Sequence, residues 1–264
     1  MIPLVPAAIA LAMVQAGTAV AQAPQGAEAS RAALAPGGTL RAAINFGNPV
    51  LAQRAPDGTP RGVSTVLAAE LARRLGVPLQ MVPFESAGSV TAALPQRVYD
   101  LAFMAVDPVR GEGMDFTAPY VLIEGGYAVR AASSFQAVGD VDATGVTVLV
   151  ATGSAYDLYL SRSLKQATLV RLPTGNDAAA AYLAGRGDVL ASVKSPLGKL
   201  VAQTPGLRLL PGRFMAIEQA MALPKGRDPA ALAYVQAFIA EMKASGAVAK
   251  ALADTGQDDA EVAP

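Results

Sequence analysis

The sequence predicts an α/β protein of two lobes, each a mostly parallel sheet flanked by helices. Short apolar runs that fit buried strands alternate with stretches of helical periodicity, once from residue 39 and again from residue 146. Such alternation favours parallel strands joined by right-handed helical crossovers. The apolar segment 121–130 leads out of the first unit, and segment 215–223 is predicted to return to it. Two crossings between lobes make a hinge, which is the architecture of a clamshell binder.

The first unit contains three predicted strands and two predicted helices. Gly76 and Pro78 end the first helix, and Asp107-Pro108 ends the third strand because proline lacks a ladder donor. In order, the elements are a strand over 39–45, a helix begun near Ser64, a strand over 79–83, a helix over 86–97 and a strand over 101–106.

The second unit repeats this alternation before the chain returns to the first. Asp228 and Pro229 are typical of a helix start, and Ser245-Gly246 of a helix end. The elements are a strand over 146–151, a helix from Ala155, a strand over 169–172, a helix capped by Asn176, a strand over 189–193, a helix opened by Ser195-Pro196, the strand over 215–223, a long helix and a last short helix.

Composition excludes several classes of function. The chain has 264 residues, 52% of them apolar, so it can bury a substantial core. Its 21 basic and 21 acidic residues balance, which makes nucleic-acid binding unexpected. It has no cysteine and no histidine, so disulfides, thiolate nucleophiles, the usual zinc sites and His-based catalysis are excluded. No cofactor and no metal are predicted.

The two ends of the chain are predicted to lie outside the lobes. Residues 2–20 are almost wholly apolar and small, and cleavage after Ala21 or Ala23 would fit an export signal over 1–23. An uncleaved membrane anchor is the alternative. A flexible lead-in is expected over 24–38 and an acidic tail over 255–264. Between them, 39–129 and 218–254 would form lobe 1, and 130–217 lobe 2.

Arg110 is the first candidate site residue, because it follows a buried strand in a polar loop. Its guanidinium can hold a carboxylate through two parallel hydrogen bonds. Ligands of open α/β sheets bind beyond the carboxyl ends of the strands. A solvated loop arginine is the alternative reading of this segment alone.

The sequence around Arg110 resembles a known signature. Asp107 to Arg110 (Asp-Pro-Val-Arg) and Asp115 to Tyr120 (Asp-Phe-Thr-Ala-Pro-Tyr) stand at the spacing of Thr-Pro-Glu-Arg and Asp-Phe-Ser-x-Pro-Tyr in the solute-binding proteins of ATP-driven amino-acid importers. These proteins are the bacterial extracellular solute-binding proteins of family 3, with the type 2 periplasmic-binding fold. Further similar fragments stand at 38–41, 71–78 and 183–189.

The resemblance implies roles for individual residues. The arginine equivalent to Arg110 grips the ligand carboxylate in the family. Thr152, Gly153 and Ser154 match a Gly-Thr-Thr segment at a helix N-terminus, where free N–H groups attract anions. Ser154 would help hold the carboxylate, or it would be a helix cap only.

This chain also departs from the family pattern. The aromatic residue that covers the ligand is replaced near Asn48, which leaves Phe46 as the only ring in that loop. The acid that pairs with a ligand ammonium falls near Val193 and Lys194, where no acid exists.

Other residues are expected to compensate at the crevice. Asp107 or Glu124 could accept an ammonium; if neither reaches the cleft, the ligand is an acid without an amino group. Lys194 would suggest a second anionic group. Asn45 is also expected to face the crevice.

The leading hypothesis is a monomeric, non-catalytic periplasmic receptor that binds a small carboxylate-bearing solute, an amino acid or related acid, and delivers it to an inner-membrane ABC permease. One alternative is an enzyme similar to cyclohexadienyl dehydratases, in which Glu124 would be the general acid and Arg110 the carboxylate clamp. Another is a free sensor that presents its ligand to a signalling partner.

Overall fold

A computed structural model describes residues 25–257 and 260–264. The elements up to the first long strand are α1 (Gln25–Leu34), β1 (Leu40–Asn45), β2 (Gln53–Arg54), β3 (Pro60–Arg61), α2 (Val63–Leu75), β4 (Leu79–Phe84), α3 (Ala87–Ala92), β5 (Leu101–Ala105), α4 (Pro108–Gly111), β6 (Met114–Phe116) and β7 (Val121–Arg130). Those that follow are β8 (Thr147–Ala151), α5 (Ala155–Ser163), β9 (Thr168–Leu172), α6 (Gly175–Leu183), β10 (Val189–Val193), α7 (Lys194–Gln203), β11 (Leu207–Leu209), β12 (Met215–Pro224), α8 (Pro229–Ala244), α9 (Ala247–Ala253) and β13 (Glu261–Val262).

Eleven of the described strands form one curled sheet, in which β4-β1-β5-β12-β7-β10-β8-β9 is the main order, β6 pairs with β12, and β11 and β13 pair with β7. The strands β2 and β3 pair separately with each other. The pairs β4-β1, β1-β5, β10-β8 and β8-β9 are parallel. All five residues of β5 are buried, as are four of the five in β8, because helices cover both faces of the sheet. We call β4, β1 and β5 with α2, α3 and α4 the first lobe, and β10, β8, β9 and β11 with α5, α6 and α7 the second lobe. The predicted α/β fold of two lobes is confirmed.

Two long antiparallel strands join the lobes, as predicted. β7 and β12 pair from Met215↔Gly125 to Gln219↔Val121. β12 then continues along β5 in the first lobe, and β7 along β10 in the second. The lobe boundaries at 129/130 and 217/218 stay a prediction.

Two segments outside the predicted lobes are more ordered than expected. The lead-in from residue 24 was predicted to be flexible, but Gln25–Leu34 forms α1. Leu34 is fully buried, and the Arg227 guanidinium donates a 2.6 Å hydrogen bond to the carbonyl of Ala33. The helix is rich in alanine, a strong helix former, and its last turn gains burial by packing on the first lobe.

The acidic tail predicted over 255–264 also takes part in the fold. Glu261–Val262 forms β13 and pairs with β7 at Leu122 and Val121. The N–H of Ala263 then donates to the carbonyl of Tyr120 over 3.1 Å. The tail therefore covers an edge of the hinge strand that would otherwise leave backbone groups unpaired.

Some helices begin at residues other than those predicted. Gly62, not Ser64, precedes α2, at φ 123°, and a Cβ there would lie 2.5 Å from the carbonyl oxygen of Leu51. Thr174, not Asn176, caps α6, because its hydroxyl accepts the N–H of Asp177 over 3.1 Å. In α2 tertiary packing outweighed the local preference for a serine cap, and in α6 a second capping residue outweighed the asparagine.

The predicted export signal over 1–23 lies outside the described residues. In the part of the chain that the structure describes, no helix combines the length and the apolar character needed to cross a membrane.

Candidate functional site

Arg110 lies in the short helix α4, between the two lobes. Asp107 caps this helix, with its Oδ1 accepting the N–H of Val109 over 2.9 Å, and Pro108 occupies the first helical position. The tight turn after β5 directs the Arg110 side chain back across the strand end. Only 1% of Arg110 is exposed to solvent.

The Arg110 guanidinium bonds to both lobes. Its Nη1 donates to the carbonyl of Ala105 in β5 over 3.0 Å, and its Nη2 to the carbonyl of Gly153, just before α5, over 2.8 Å. Nε has no hydrogen-bond partner in the described residues. These two bonds use two of five N–H groups, so three remain.

The charge of Arg110 is not neutralised by an ion pair with any described residue. Burial lowers the pKa of Arg110 to about 10, against a smaller opposing effect from the carboxylate of Asp107. The guanidinium is therefore still charged at neutral pH, and it is a buried cation with unused donors. Such a group is costly unless an anion pairs with it.

A cavity of about 40 Å³ lies beside Arg110 and is lined by both lobes and by the hinge. A water needs roughly 10–15 Å³ of such volume, so the cavity holds a group of a few heavy atoms. Its polar lining residues are Asn45, Asn48, Ser86, Arg110, Ser154, Tyr156 and Gln219.

The amide oxygens on the first-lobe side already accept backbone hydrogen bonds. Oδ1 of Asn45 accepts the N–H of Gly47 over 2.9 Å, and Oδ1 of Asn48 accepts the N–H of Val50 over 3.3 Å. These bonds fix the amide orientation, because the oxygen must face the backbone donor. The NH₂ group of each amide is left for the cavity.

The hydroxyl oxygens of Ser154 and Ser86 also accept backbone hydrogen bonds. Ser154 caps α5 and accepts the N–H of Asp157 over 3.0 Å, and Ser86 caps α3 and accepts the N–H of Ser89 over 3.1 Å. Gln219, whose amide carries both donors and an acceptor, lines the same cavity.

The lobes also contact each other directly beside this cavity. A Cβ on Gly88 in α3 would lie 2.5 Å from the carbonyl oxygen of Thr152 in the second lobe. One built on Gly153, at φ +68°, would lie 2.8 Å from Cα of Gly88. Only glycine at these two positions lets the backbones come this close.

An ion pair spans the lobes on the same side. Nη2 of Arg162, in α5, lies 2.7 Å from Oδ2 of Asp107. The Asp107 side chain is 5% exposed and that of Arg162 45%. The carboxylate of Asp107 is thus engaged by Arg162 and by the backbone of α4, and it does not line the cavity.

Glu124 and Lys194 lie in a second, larger cavity of about 510 Å³ beside the hinge strand β7. Nζ of Lys194 lies 2.8 Å from one oxygen of Glu124, and Nη1 of Arg213 lies 2.9 Å from the other. The hydrogen bond from Lys194 lowers the pKa of Glu124, and Arg213 acts in the same direction against the effect of burial. Glu124 and Lys194, predicted to share a cleft with Arg110, line this second cavity and are not among the residues that line the cavity beside Arg110.

The family profile of the bacterial extracellular solute-binding proteins, family 3, matches residues 40–254. The chain belongs to this family. A search among curated proteins found no match.

Solved structures of binding proteins share the fold of this family 3 member. A mutant of ArgBP from T. maritima is 24% identical, with a TM-score of 0.74 over 87% of this chain and 100% of that one. The cysteine-binding protein from Campylobacter jejuni is 22% identical, with a TM-score of 0.76 over 89% and 99%. An ancestral amino acid-binding protein described as a precursor of cyclohexadienyl dehydratase is 23% identical, with a TM-score of 0.71 over 85% and 98%.

Three further residues predicted for the site of this family 3 protein are not among those that line the Arg110 cavity: Phe46, Thr152 and Gly153. The ring of Phe46 packs on the core, and the Arg54 guanidinium lies 3.9 Å from its centroid. The hydroxyl of Thr152 donates to the carbonyl of Leu172 over 2.9 Å. Both side chains are held by neighbours in their own lobe, so neither reaches the cavity.

Sequence reasoning missed other residues of this site. Gln219 is a polar residue inside an apolar strand, and that break in the pattern is a signal that could have been used. Tyr156 follows Ser154 by two positions and could have been inferred from the helix start. No sequence signal marks Gly88 or Arg162, because their role arises from contact between lobes.

Proposed function

We propose that this protein is a non-catalytic receptor that closes its two lobes over a small carboxylate-bearing solute. The observation that carries this proposal is the buried Arg110 guanidinium, which bonds to each lobe and keeps three N–H groups free. A carboxylate accepts two parallel N–H groups from such a fork.

Closure follows from the same geometry. A ligand that contacts Arg110 in the first lobe and Ser154 in the second stabilises only the closed arrangement. Buried charge pairs of this type contribute about 2 to 5 kcal/mol when one partner is truncated. The receptor would therefore bind its solute through differential affinity for the closed state.

We further propose that the protein acts outside the cytoplasmic membrane as a monomer and hands its solute to an ABC permease. Membership of an extracellular solute-binding family supports this role. The fold shared with arginine- and cysteine-binding proteins supports a small solute as ligand, an amino acid or a related acid.

The experiment is a ligand screen with matched arginine variants. Thermal shift and titration calorimetry would test the standard L-amino acids and short mono- and dicarboxylic acids against the wild type, Arg110→Gln and Arg186→Gln. Arg186 is exposed in the second lobe and serves as the control. We expect binding in the wild type and in Arg186→Gln but not in Arg110→Gln. Equal binding by all three proteins would show that Arg110 does not hold the ligand.

The dehydratase alternative loses its predicted general acid. Glu124 lies outside the Arg110 cavity, and its lowered pKa opposes proton donation at neutral pH. Incubation with prephenate, followed by the absorbance of an aromatic product, tests the remaining possibility of turnover. We expect none.

A further inference from the structure

The polar groups that line the Arg110 cavity restrict the class of small acid that can bind there. Resting on the proposed function, we infer that the solute is a short 2-oxo or 2-hydroxy carboxylate without an ammonium group. The juxtaposition behind this inference is the buried Arg110 guanidinium with unused donors and the Asn45 and Asn48 amides at one cavity, which no acidic side chain of the described residues lines.

The described residues that line the cavity include no aspartate and no glutamate. The two acids predicted to accept an ammonium are both engaged elsewhere: Asp107 by Arg162 and Glu124 by Lys194 and Arg213. A buried ammonium without a carboxylate keeps most of its desolvation cost. The ammonium of an α-amino acid would therefore find no carboxylate among the described residues that line the cavity.

The uncharged polar groups favour a ligand that accepts hydrogen bonds. Asn45 and Asn48 line the cavity and each has its amide oxygen bonded to a backbone N–H, which leaves the NH₂ group of each amide as the donor for a ligand. The carbonyls of Ala105 and Gly153 already accept from Arg110. A carbonyl or hydroxyl oxygen next to the ligand carboxylate could accept hydrogen bonds from these donors. An ammonium has no acceptor, so it could form no hydrogen bond with them.

The volume limits the length of the ligand. A cavity of about 40 Å³ accommodates a carboxylate and one neighbouring polar group, and little more, between closed lobes. Long side chains such as that of arginine would hold the lobes further apart. The inference is thus an acid of about two or three carbons.

The test compares ligands that differ only at the second carbon. Calorimetry would measure glyoxylate and glycolate against glycine, and pyruvate and L-lactate against L-alanine, on the wild type and on Arg110→Gln. We expect the oxo or hydroxy member to bind at least about tenfold more tightly than the amino member, with binding lost in Arg110→Gln.

Other outcomes overturn the inference in distinguishable ways. If the amino member binds as tightly as its oxo partner and depends on Arg110, the inference fails while the proposed function stands. If neither these compounds nor the wider panel binds the wild type, both fail. If pyruvate binds equally to Arg110→Gln, the site is elsewhere and the inference fails.

A substitution at Asn48, which lines the cavity, gives a second test. Its readout is a ratio of two affinities, which does not depend on the free energy of unfolding of the variant. Asn48→Asp keeps the oxygen that accepts the Val50 N–H and replaces the amide donor by an acceptor. We expect the ratio of pyruvate to L-alanine affinity to fall at least about tenfold in this variant. An unchanged ratio would show that the donors of the wall do not set the preference.

Discussion

The two cavities at the lobe interface differ in how their charges are balanced. The cavity beside Arg110 is small and contains one buried cation with no ion pair among the described residues. The cavity beside Glu124 is about 510 Å³, and its acid is already paired with Lys194 and Arg213. Size alone would favour the larger cavity as a ligand site. Charge balance favours the smaller one, because only there would an anion relieve an unpaired buried charge.

Replacing one cation of each cavity by methionine, Arg110 or Lys194, should give the largest difference in ligand affinity. Arg110→Met removes the free donors and should weaken binding of the best carboxylate by at least about 100-fold, or roughly 3 kcal/mol. Lys194→Met should leave that affinity within about twofold, because Lys194 forms its ion pair with Glu124 in the other cavity. Titration calorimetry on both variants measures the contrast. A larger loss in Lys194→Met would reverse the assignment of the two cavities.

Closure should depend on the glycine contact beside the smaller cavity. Gly88→Ala adds a Cβ 2.5 Å from the carbonyl oxygen of Thr152, so the lobes cannot approach as closely. We expect about tenfold weaker ligand binding and a larger radius of gyration by X-ray scattering. Gly198→Ala, in α7 beside the larger cavity, is the control because its nearest new contact is 3.9 Å away. Identical behaviour of the two variants would contradict the closure role of Gly88.

Two ion pairs of equal exposure allow the lobe interface to be compared with the interior of one lobe. Arg162–Asp107 spans the lobes, and Arg171–Asp157 lies within the second lobe; each pair joins an arginine 45% exposed to an aspartate 5% exposed. Alanine at Arg162 or Arg171 should lower stability by about 1 kcal/mol, since half the pair is solvent-screened. Only Arg162→Ala should also weaken ligand binding, by a few fold. Loss of affinity in Arg171→Ala would mean that the effect is not specific to closure.

The smallest effect is expected at Glu124. Glu124→Gln should leave ligand affinity unchanged and cost less than about 1 kcal/mol at neutral pH, because the carboxylate is partly exposed. The folded-state pKa of Glu124 is lowered, chiefly by Lys194. Its stabilisation is therefore present above the unfolded value near 4.5 and is lost as pH falls through the lower folded value.

Thermal melts at two pH values measure this contribution. The difference in melting temperature between wild type and Glu124→Gln should be present at about pH 7 and should shrink at about pH 3. A difference that grows on acidification would mean that Glu124 is held in its neutral form and that the charge balance of the larger cavity is misassigned.

Much of the fold was predictable because local patterns and tertiary structure agree. The strand β10 was predicted with its observed ends, and β7 likewise, since apolar runs bounded by turn residues survive packing unchanged. The helix α1 was not predicted; it packs mainly on α8, a contact between elements distant in sequence, and its Leu34 is buried. The strand β13 was missed for a similar reason, since two residues have no periodicity.

The candidate site was predictable where one residue carries a distinctive chemistry. Arg110 was identified because it places a guanidinium directly after a buried strand. Asn45, Asn48 and Ser154 line the same cavity. Asp107, Glu124 and Lys194 do not line that cavity, and each has an ion-pair partner distant in sequence. Spacing along the chain cannot show which carboxylate a distant arginine reaches.

The sequence by itself determined the alternation of strands and helices, the two hinge strands and the presence of a guanidinium at the end of β5. These follow from periodicity, turn residues and side-chain chemistry, which act over a few residues. Only the tertiary structure decided that Asp107 and Glu124 are engaged by Arg162 and Lys194, and that Arg110 keeps its charge unpaired. Pairing depends on which side chains the folded lobes bring within a few ångströms, and a local pattern does not contain those distances.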